Sequence, residues 1–185
     1  MNELPLYFIA IIPPDPIFSF ALQQKEYIAE YYNSKAALRS PPHITLHMPF
    51  RLKESREALL IEYLDNLAKS NPQFLIKCDG FGAFEPRVIY INLDRPDALV
   101  NLQRNIGQLM KQQMHLFNAN YKDKVFNPHM TIAFRDLRKA MFHKAWEEFR
   151  VKKYTTSFMT DSFALLKHDS RHWQVHQRFH LSASV

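Results

Sequence analysis

Residues 40–50 read SPPHITLHMPF, and residues 126–134 read FNPHMTIAF. Each stretch holds a proline, a histidine, an apolar residue, a threonine and an aliphatic residue in the same order. They are Pro42-His43-Ile44-Thr45-Leu46 and Pro128-His129-Met130-Thr131-Ile132. The two histidines stand 86 residues apart, close to half of the 185-residue chain. On a strand, side chains at i and i+2 share a face. Each stretch therefore predicts an imidazole beside a hydroxyl, with Ile44 and Leu46, or Met130 and Ile132, turned into an apolar layer. The proline before each histidine favours extended backbone and suits the start of a strand.

Working outward, the elements around the two motifs repeat. Leu4–Ile12 is nearly continuous in apolar residues and reads as a strand buried on both faces. Pro13, Pro14 and Pro16 break it and open a helix over Ile17–Ala37. The first motif strand covers 43–50, and a helix follows over Glu54–Lys69 with Leu60, Leu64 and Leu67 at helical spacing. Residues 73–84 and 87–94 read as paired strands joined through Glu85-Pro86. A second round then runs through a helix over Pro96–Phe117, the motif strand 129–134 and a helix over Leu137–Arg150. Two closing strands are expected over Thr155–Leu166 and His172–Leu181. The order helix, motif strand, helix, strand pair thus occurs twice. It predicts one α+β domain over residues 1–185, made of two pseudo-symmetric lobes. Each lobe carries a small, mainly antiparallel sheet with helices on its outer face, and the cleft lies between the sheets.

Composition removes several functions. Three glycines, with neither GxGxxG nor GxxxxGK[ST], argue against a Rossmann or P-loop nucleotide site. Cys78 is the only cysteine, so an intrachain disulfide and a cysteine-based zinc cluster are excluded and a reducing cytoplasmic compartment is expected. The apolar run near the N-terminus is nine residues, too short for a bilayer, and Glu3 stands where a basic leader would begin. A formal charge of +6 favours polyanionic or phosphorylated partners, with Lys and Arg dispersed rather than gathered in a tail.

Two imidazoles whose ordinary pKa lies near 6.5 can divide acid and base work around neutrality. Phosphodiester cleavage needs that division: one group deprotonates the attacking oxygen and the other protonates the departing one. Threonine hydroxyls can hold the non-bridging oxygens where charge builds. Such chemistry needs no metal and no other cofactor.

With HITL at 43–46 and HMTI at 129–132, the chain resembles the two-histidine phosphoesterase superfamily. It is most similar to the branch of 2′-5′ RNA ligase-like and RNA 2′,3′-cyclic phosphodiesterase proteins. The opening LYFIAIIPPDPI adds weaker likeness. The resemblance implies metal-independent opening of a 2′,3′-cyclic phosphate, on an RNA end or a small cyclic nucleotide, to a monoester that is typically the 2′-phosphate. Some relatives run the reverse 2′-5′ ligation. It also implies His43 as proton donor, His129 as proton acceptor, and Thr45 and Thr131 as phosphate binders. No strong match to a phosphate-clamping arginine is evident. A monomer without membrane attachment is expected.

Other candidates for substrate contact are His47, on the face of His43 and Thr45 by simple alternation, Phe84 as a base-stacking ring beside Tyr90, and Lys167, near the cleft with Arg171. For His47 a surface position is the plainer expectation, and for Phe84 and Tyr90 a core one. His168, His172, His176 and His180 recur every fourth residue, as zinc ligands on a helix would. Alternation of Trp173, Val175, Phe179 and Leu181 with polar residues instead predicts a strand, on which His176 and His180 stand about 13 Å apart. Cys78 reads as a buried thiol. The reading from a different class is a non-catalytic RNA-binding module that keeps the cleft as an anion pocket.

Overall fold

A computed structural model describes residues 4–116 and 125–183. In chain order the elements are β1 (Leu6–Ile11), α1 (Ile17–Tyr32), β2 (Ile44–Arg51), α2 (Glu57–Lys69), β3 (Phe74–Phe84) and β4 (Val88–Leu93). They continue with α3 (Asp97–Gln112), β5 (His129–Ala133), α4 (Lys139–Phe149), β6 (Thr155–Thr160), β7 (Ser162–His168) and β8 (Trp173–His180). Short 3-10 turns over Ala36–Arg39 and Glu54–Arg56 precede β2 and α2. The fold is α+β. The expected first helix stops five residues early because Asn33 takes the left-handed conformation, φ 54°, that ends helices. Phe117, the last residue of the expected third helix, lies outside the described residues.

The strands form one antiparallel sheet in the order β6-β3-β4-β5-β2-β1-β7-β8. It has two four-stranded halves, and the two motif strands are the seam between them. Ile44 opposite Met130 is the registered pair that joins β2 to β5. The expected closing strand Thr155–Leu166 is in fact two strands separated by Asp161. β6 lies on β3 at one end of the order, and β7 lies on β1 near the other. One intervening residue can bridge only about 7 Å, so the sheet must curl to bring Thr160 beside Ser162. The burial pattern marks the break, alternating along β6 and continuous along the first five residues of β7.

Helices cover one face of the sheet, and two of them reach across the seam. α1 follows β1 but packs on β5, and α3 follows β4 but packs on β2. The main core lies between, with Tyr7, Ile9 and Ile11 from β1, Ile44 and Leu46 from β2, and Leu99, Leu102, Ile106 and Met110 from α3. Each such fully buried side chain stabilises the fold by roughly 1.5–3 kcal/mol through area removed from water. The opposite face of β1 and β7 carries a smaller apolar group: Phe8, Ala10, Ile12, Ala164 and Leu166, with Phe18 and Trp173 against it. β1 is thus buried on both faces, as its continuous apolar run requires. Among the described residues no helix is long and apolar enough to cross a membrane.

Candidate active site

The two motif strands are built alike in detail. Ile9 faces His47 and Ala10 faces Thr45, with an extra residue, Leu46, between them. Ile89 faces Ala133 and Tyr90 faces Thr131, with Ile132 as the extra residue. The same bulge therefore follows each threonine, and bulges re-aim side chains next to active sites. Carrying the antiparallel register of Ile44 and Met130 one step either way sets His43 toward Thr131 and His129 toward Thr45. Two imidazoles and two hydroxyls converge about a local two-fold axis. Neither threonine hydroxyl has a hydrogen-bond partner among the described residues.

Both rings are locked the same way. His43 Nδ1 lies 2.7 Å from the Pro41 carbonyl oxygen, and His129 Nδ1 lies 2.8 Å from that of Asn127. A carbonyl oxygen only accepts, so Nδ1 carries the hydrogen in each ring. That fixes the tautomer and leaves Nε2 as the atom free to gain or lose a proton.

Their surroundings differ. His43 is half-buried, its ring 4.9 Å from that of Phe8, which Trp173 meets edge-on at 4.6 Å. Burial first, then the positive charge of Lys25, then that of His129, pull its pKa down to about 3 against the raising effect of the Pro41 carbonyl. His129 stands between the rings of Phe84 and Tyr90, at 5.0 and 5.1 Å. Burial lowers its pKa as well, opposed by the Asn127 carbonyl, and among the described residues no cation adds to the effect. Lys25 is 1% exposed on α1, and its Nζ donates to the carbonyls of Ala37 and Ser40, each at 3.0 Å. It staples the segment that delivers His43. Burial draws its own pKa down to about 7, while two carbonyl acceptors favour the charged form.

The remaining candidates fall on both sides of the sheet. Phe84 is 40% exposed and lies against both Tyr90 and His129, so it borders the site. Tyr90 spans Gly82 on β3; a Cβ at Gly82 would come within 2.4 Å of its ring. His47 neither shares the face of His43 nor meets solvent. The bulge turns it onto the Ile9 side, where it is 4% exposed and meets Phe50 edge-on. Lys167 is also off the cleft. It pairs in register with Tyr7, whose side chain lies in the main core, and its Nζ donates to Glu57 Oε2 at 2.9 Å. His176 Nε2 approaches the other Glu57 oxygen at 2.9 Å, and the Tyr7 hydroxyl donates to the same carboxylate. Burial alone would raise the Glu57 pKa, but the bonds from Tyr7, Lys167 and His176 outweigh it and bring it to about 2. This cluster ties α2 to β1, β7 and β8 on the helical face. Of the C-terminal histidines, His168 ends β7, His172 just precedes β8, and His176 and His180 lie on it. Among the described residues no three His, Cys, Asp or Glu side chains gather as a metal site. Cys78 is buried, with its thiol pushed up to about 11 by burial and the charge of Asp94.

Three residues that matter here carry no motif. Lys25 sits on an otherwise apolar helix face, and a buried lysine in that pattern was the available signal. Asp136 accepts from Ser34 Oγ at 2.7 Å and from the backbone N–H groups of Lys35 and Ala36 at 2.8 and 3.0 Å. It binds the turn after β5 to the segment before β2, coupling the two motif strands across about half the chain. Gly82 matters through a contact visible only once β3 and β4 are paired.

The chain has relatives among known proteins in sequence and in fold. A family model described as the 2'-5' RNA ligase superfamily matches residues 13–172. A protein of Geobacillus kaustophilus named "Putative phosphoesterase" is 32% identical over 178 residues, with 94% of each chain covered. Among solved structures, TT0787 of Thermus thermophilus superposes with a TM-score of 0.68 at 18% identity, over 97% of this chain and all of that one. E. coli LigT in its apo form superposes with a TM-score of 0.59 at 19% identity, over 98% of this chain and 99% of that one. The structures share the fold, and the family model together with the Geobacillus relative sets the lineage. With its paired motif strands at the seam of a curled sheet, this chain belongs to the 2'-5' RNA ligase superfamily.

Proposed function

We propose that the protein hydrolyses the 2′,3′-cyclic phosphate of an RNA end, or of a small cyclic nucleotide, to a 2′-phosphate. It does so by paired acid–base catalysis without a metal, as a cytoplasmic monomer. The observation that carries this reading is the two imidazoles, each locked through Nδ1 to a backbone carbonyl two residues back, meeting at the seam beside two hydroxyls without hydrogen-bond partners among the described residues. Water attacks phosphorus as one histidine takes its proton. The bond from phosphorus to the 3′-oxygen breaks as the other histidine supplies a proton to that oxygen. Thr45 and Thr131 donate to the non-bridging oxygens, and Phe84 stacks on the terminal base. The reverse 2′-5′ ligation would use the same groups. LigT has been crystallised with 3'-AMP and with ATP, which supports a nucleotide in such a cleft.

The family resemblance makes His43 the donor and His129 the acceptor. One observation favours the opposite order: deeper burial and the nearby Lys25 cation make His43 the harder ring to protonate. A 4-nitrophenyl phosphodiester separates the two, since its leaving group needs no proton. The variant lacking the donor keeps most of its rate on that substrate, and the variant lacking the acceptor does not.

The function is tested by incubating the protein, in EDTA, with the four nucleoside 2′,3′-cyclic monophosphates and with a short RNA ending in cyclic phosphate. Release of a 2′-phosphate is expected. No turnover of any of them, together with salt-dependent RNA binding, would put the RNA-binding module in its place.

A further inference from the structure

A cavity of about 300 Å³ opens where the curled sheet brings the end of β6 and the start of β7 against the ends of β1 and β8. Its walls include Pro13, Pro14, Thr160, Asp161, Arg178 and His180. The side chains of Arg178 and His180 are exposed, and neither has a hydrogen bond or ion pair among the described residues. Thr160, 2% exposed, forms part of the wall with a hydroxyl that has no partner among the described residues. Asp161 accepts from Ser162 Oγ at 2.8 Å, which leaves it further capacity to accept. Two uncommitted basic side chains beside an acceptor suit a phosphate attached to a hydroxylated sugar.

The cavity is linked to the motif by register. Arg178 faces Ala164, Ala164 faces Ala10, and Ala10 faces Thr45. Cross-strand partners share a face, so Arg178 and Thr45 are the two ends of one row whose middle is two alanines. Three strand spacings put their Cα atoms about 14 Å apart. One phosphate cannot occupy both ends. Phosphates recur every ~3.4 Å along a stacked strand, and farther apart when the strand is extended, so the two ends match phosphates a few nucleotides apart.

We propose that this cavity is a second phosphate subsite, in which Arg178, with His180 beside it, holds a backbone phosphate of RNA a few nucleotides upstream of the scissile cyclic phosphate. The substrate is then an RNA strand rather than a mononucleotide. This inference rests on the activity proposed above.

The test compares cytidine 2′,3′-cyclic monophosphate with a hexaribonucleotide ending in cyclic phosphate, using wild type, Arg178→Gln and His180→Asn. Wild type is expected to prefer the hexanucleotide. Arg178→Gln is expected to raise the hexanucleotide KM about tenfold at low salt and to lower the salt slope by about one phosphate contact. His180→Asn should raise it less. Mononucleotide turnover should stay within about twofold of wild type. Unchanged hexanucleotide kinetics, or an equal loss on both substrates, would overturn the subsite. If wild type turns over neither substrate, the proposed activity falls, and binding of a fluorescent hexanucleotide bearing a terminal 2′-phosphate decides the subsite alone. Weaker binding by Arg178→Gln upholds it, and equal binding overturns it.

Discussion

The half of the sheet that carries His43 and the half that carries His129 have the same backbone and different chemistry. Each has a motif strand at the seam, a bulge after the threonine, and a ring nitrogen donating to a carbonyl two residues back. Around His43 the repeat adds a buried lysine and the Phe8–Trp173 pair. Around His129 it adds Tyr90 lying over a glycine and the exposed Phe84. In the proposed reaction the repeated scaffold presents two equivalent arms to one phosphate, and the side chains packed behind them make the arms unequal. Acid–base catalysis benefits from that inequality, because two groups with one shared pKa hold the productive arrangement of protons in only a fraction of the molecules at any pH.

The largest effect that should treat the halves alike is removal of the hydroxyls. Thr45→Val and Thr131→Val should each lower kcat by about 10²-fold or more, as loss of a transition-state donor does, with unchanged Tm. A loss in only one of them would break the symmetry of phosphate binding.

Lys25→Met should act on one half only. It leaves the Ala37 and Ser40 carbonyls unpaired, at a cost of about 1–3 kcal/mol measured by urea unfolding. Removing the cation also eases protonation of His43, so the NMR titration of His43 should move to higher pH while that of His129 stays. Movement of both, or of neither, would remove Lys25 as the source of the difference.

Gly82→Ala is the converse. The new methyl would push Tyr90 off β3, at about 1–3 kcal/mol in stability. It should shift the His129 resonances and leave those of His43 in place.

A smaller effect concerns acid. Both histidines have folded pKa values below their unfolded value of about 6.5, so the unfolded chain binds protons first as pH falls. Stability from these groups is complete above about pH 6.5 and is lost toward the folded values, which for His43 is about 3. After allowance for the part of the ring that meets solvent, His43→Gln should remove about 1–3 kcal/mol of this acid dependence. His129→Gln should remove less. Equal slopes would contradict the asymmetry.

The halves are legible in the sequence because the features that define them are local. Pro-His-x-Thr repeats by eye, and a continuous apolar run such as Leu4–Ile12 has few folded options. The environments are not, because they come from contacts between distant segments. Alternation alone puts His47 in the cleft, and a bulge set by pairing with Ile9 moves it to the other face. Lys167 sits near the motif in the sheet order but pairs with Tyr7 over Glu57. The break at Asp161 is hidden because the flanking residues have strand propensity on both sides. Lys25 and Asp136 reach the segment before the first motif through tertiary hydrogen bonds, and the sequence does not name their partners.

The most direct test of a shared acid–base site is kcat on an RNA ending in 2′,3′-cyclic phosphate for His43→Gln, His129→Gln and the double variant. The account predicts a loss of about 10²–10⁴-fold in each single variant, and a double loss smaller than the product of the two, because the groups act as a unit. Full activity in either single variant would contradict it.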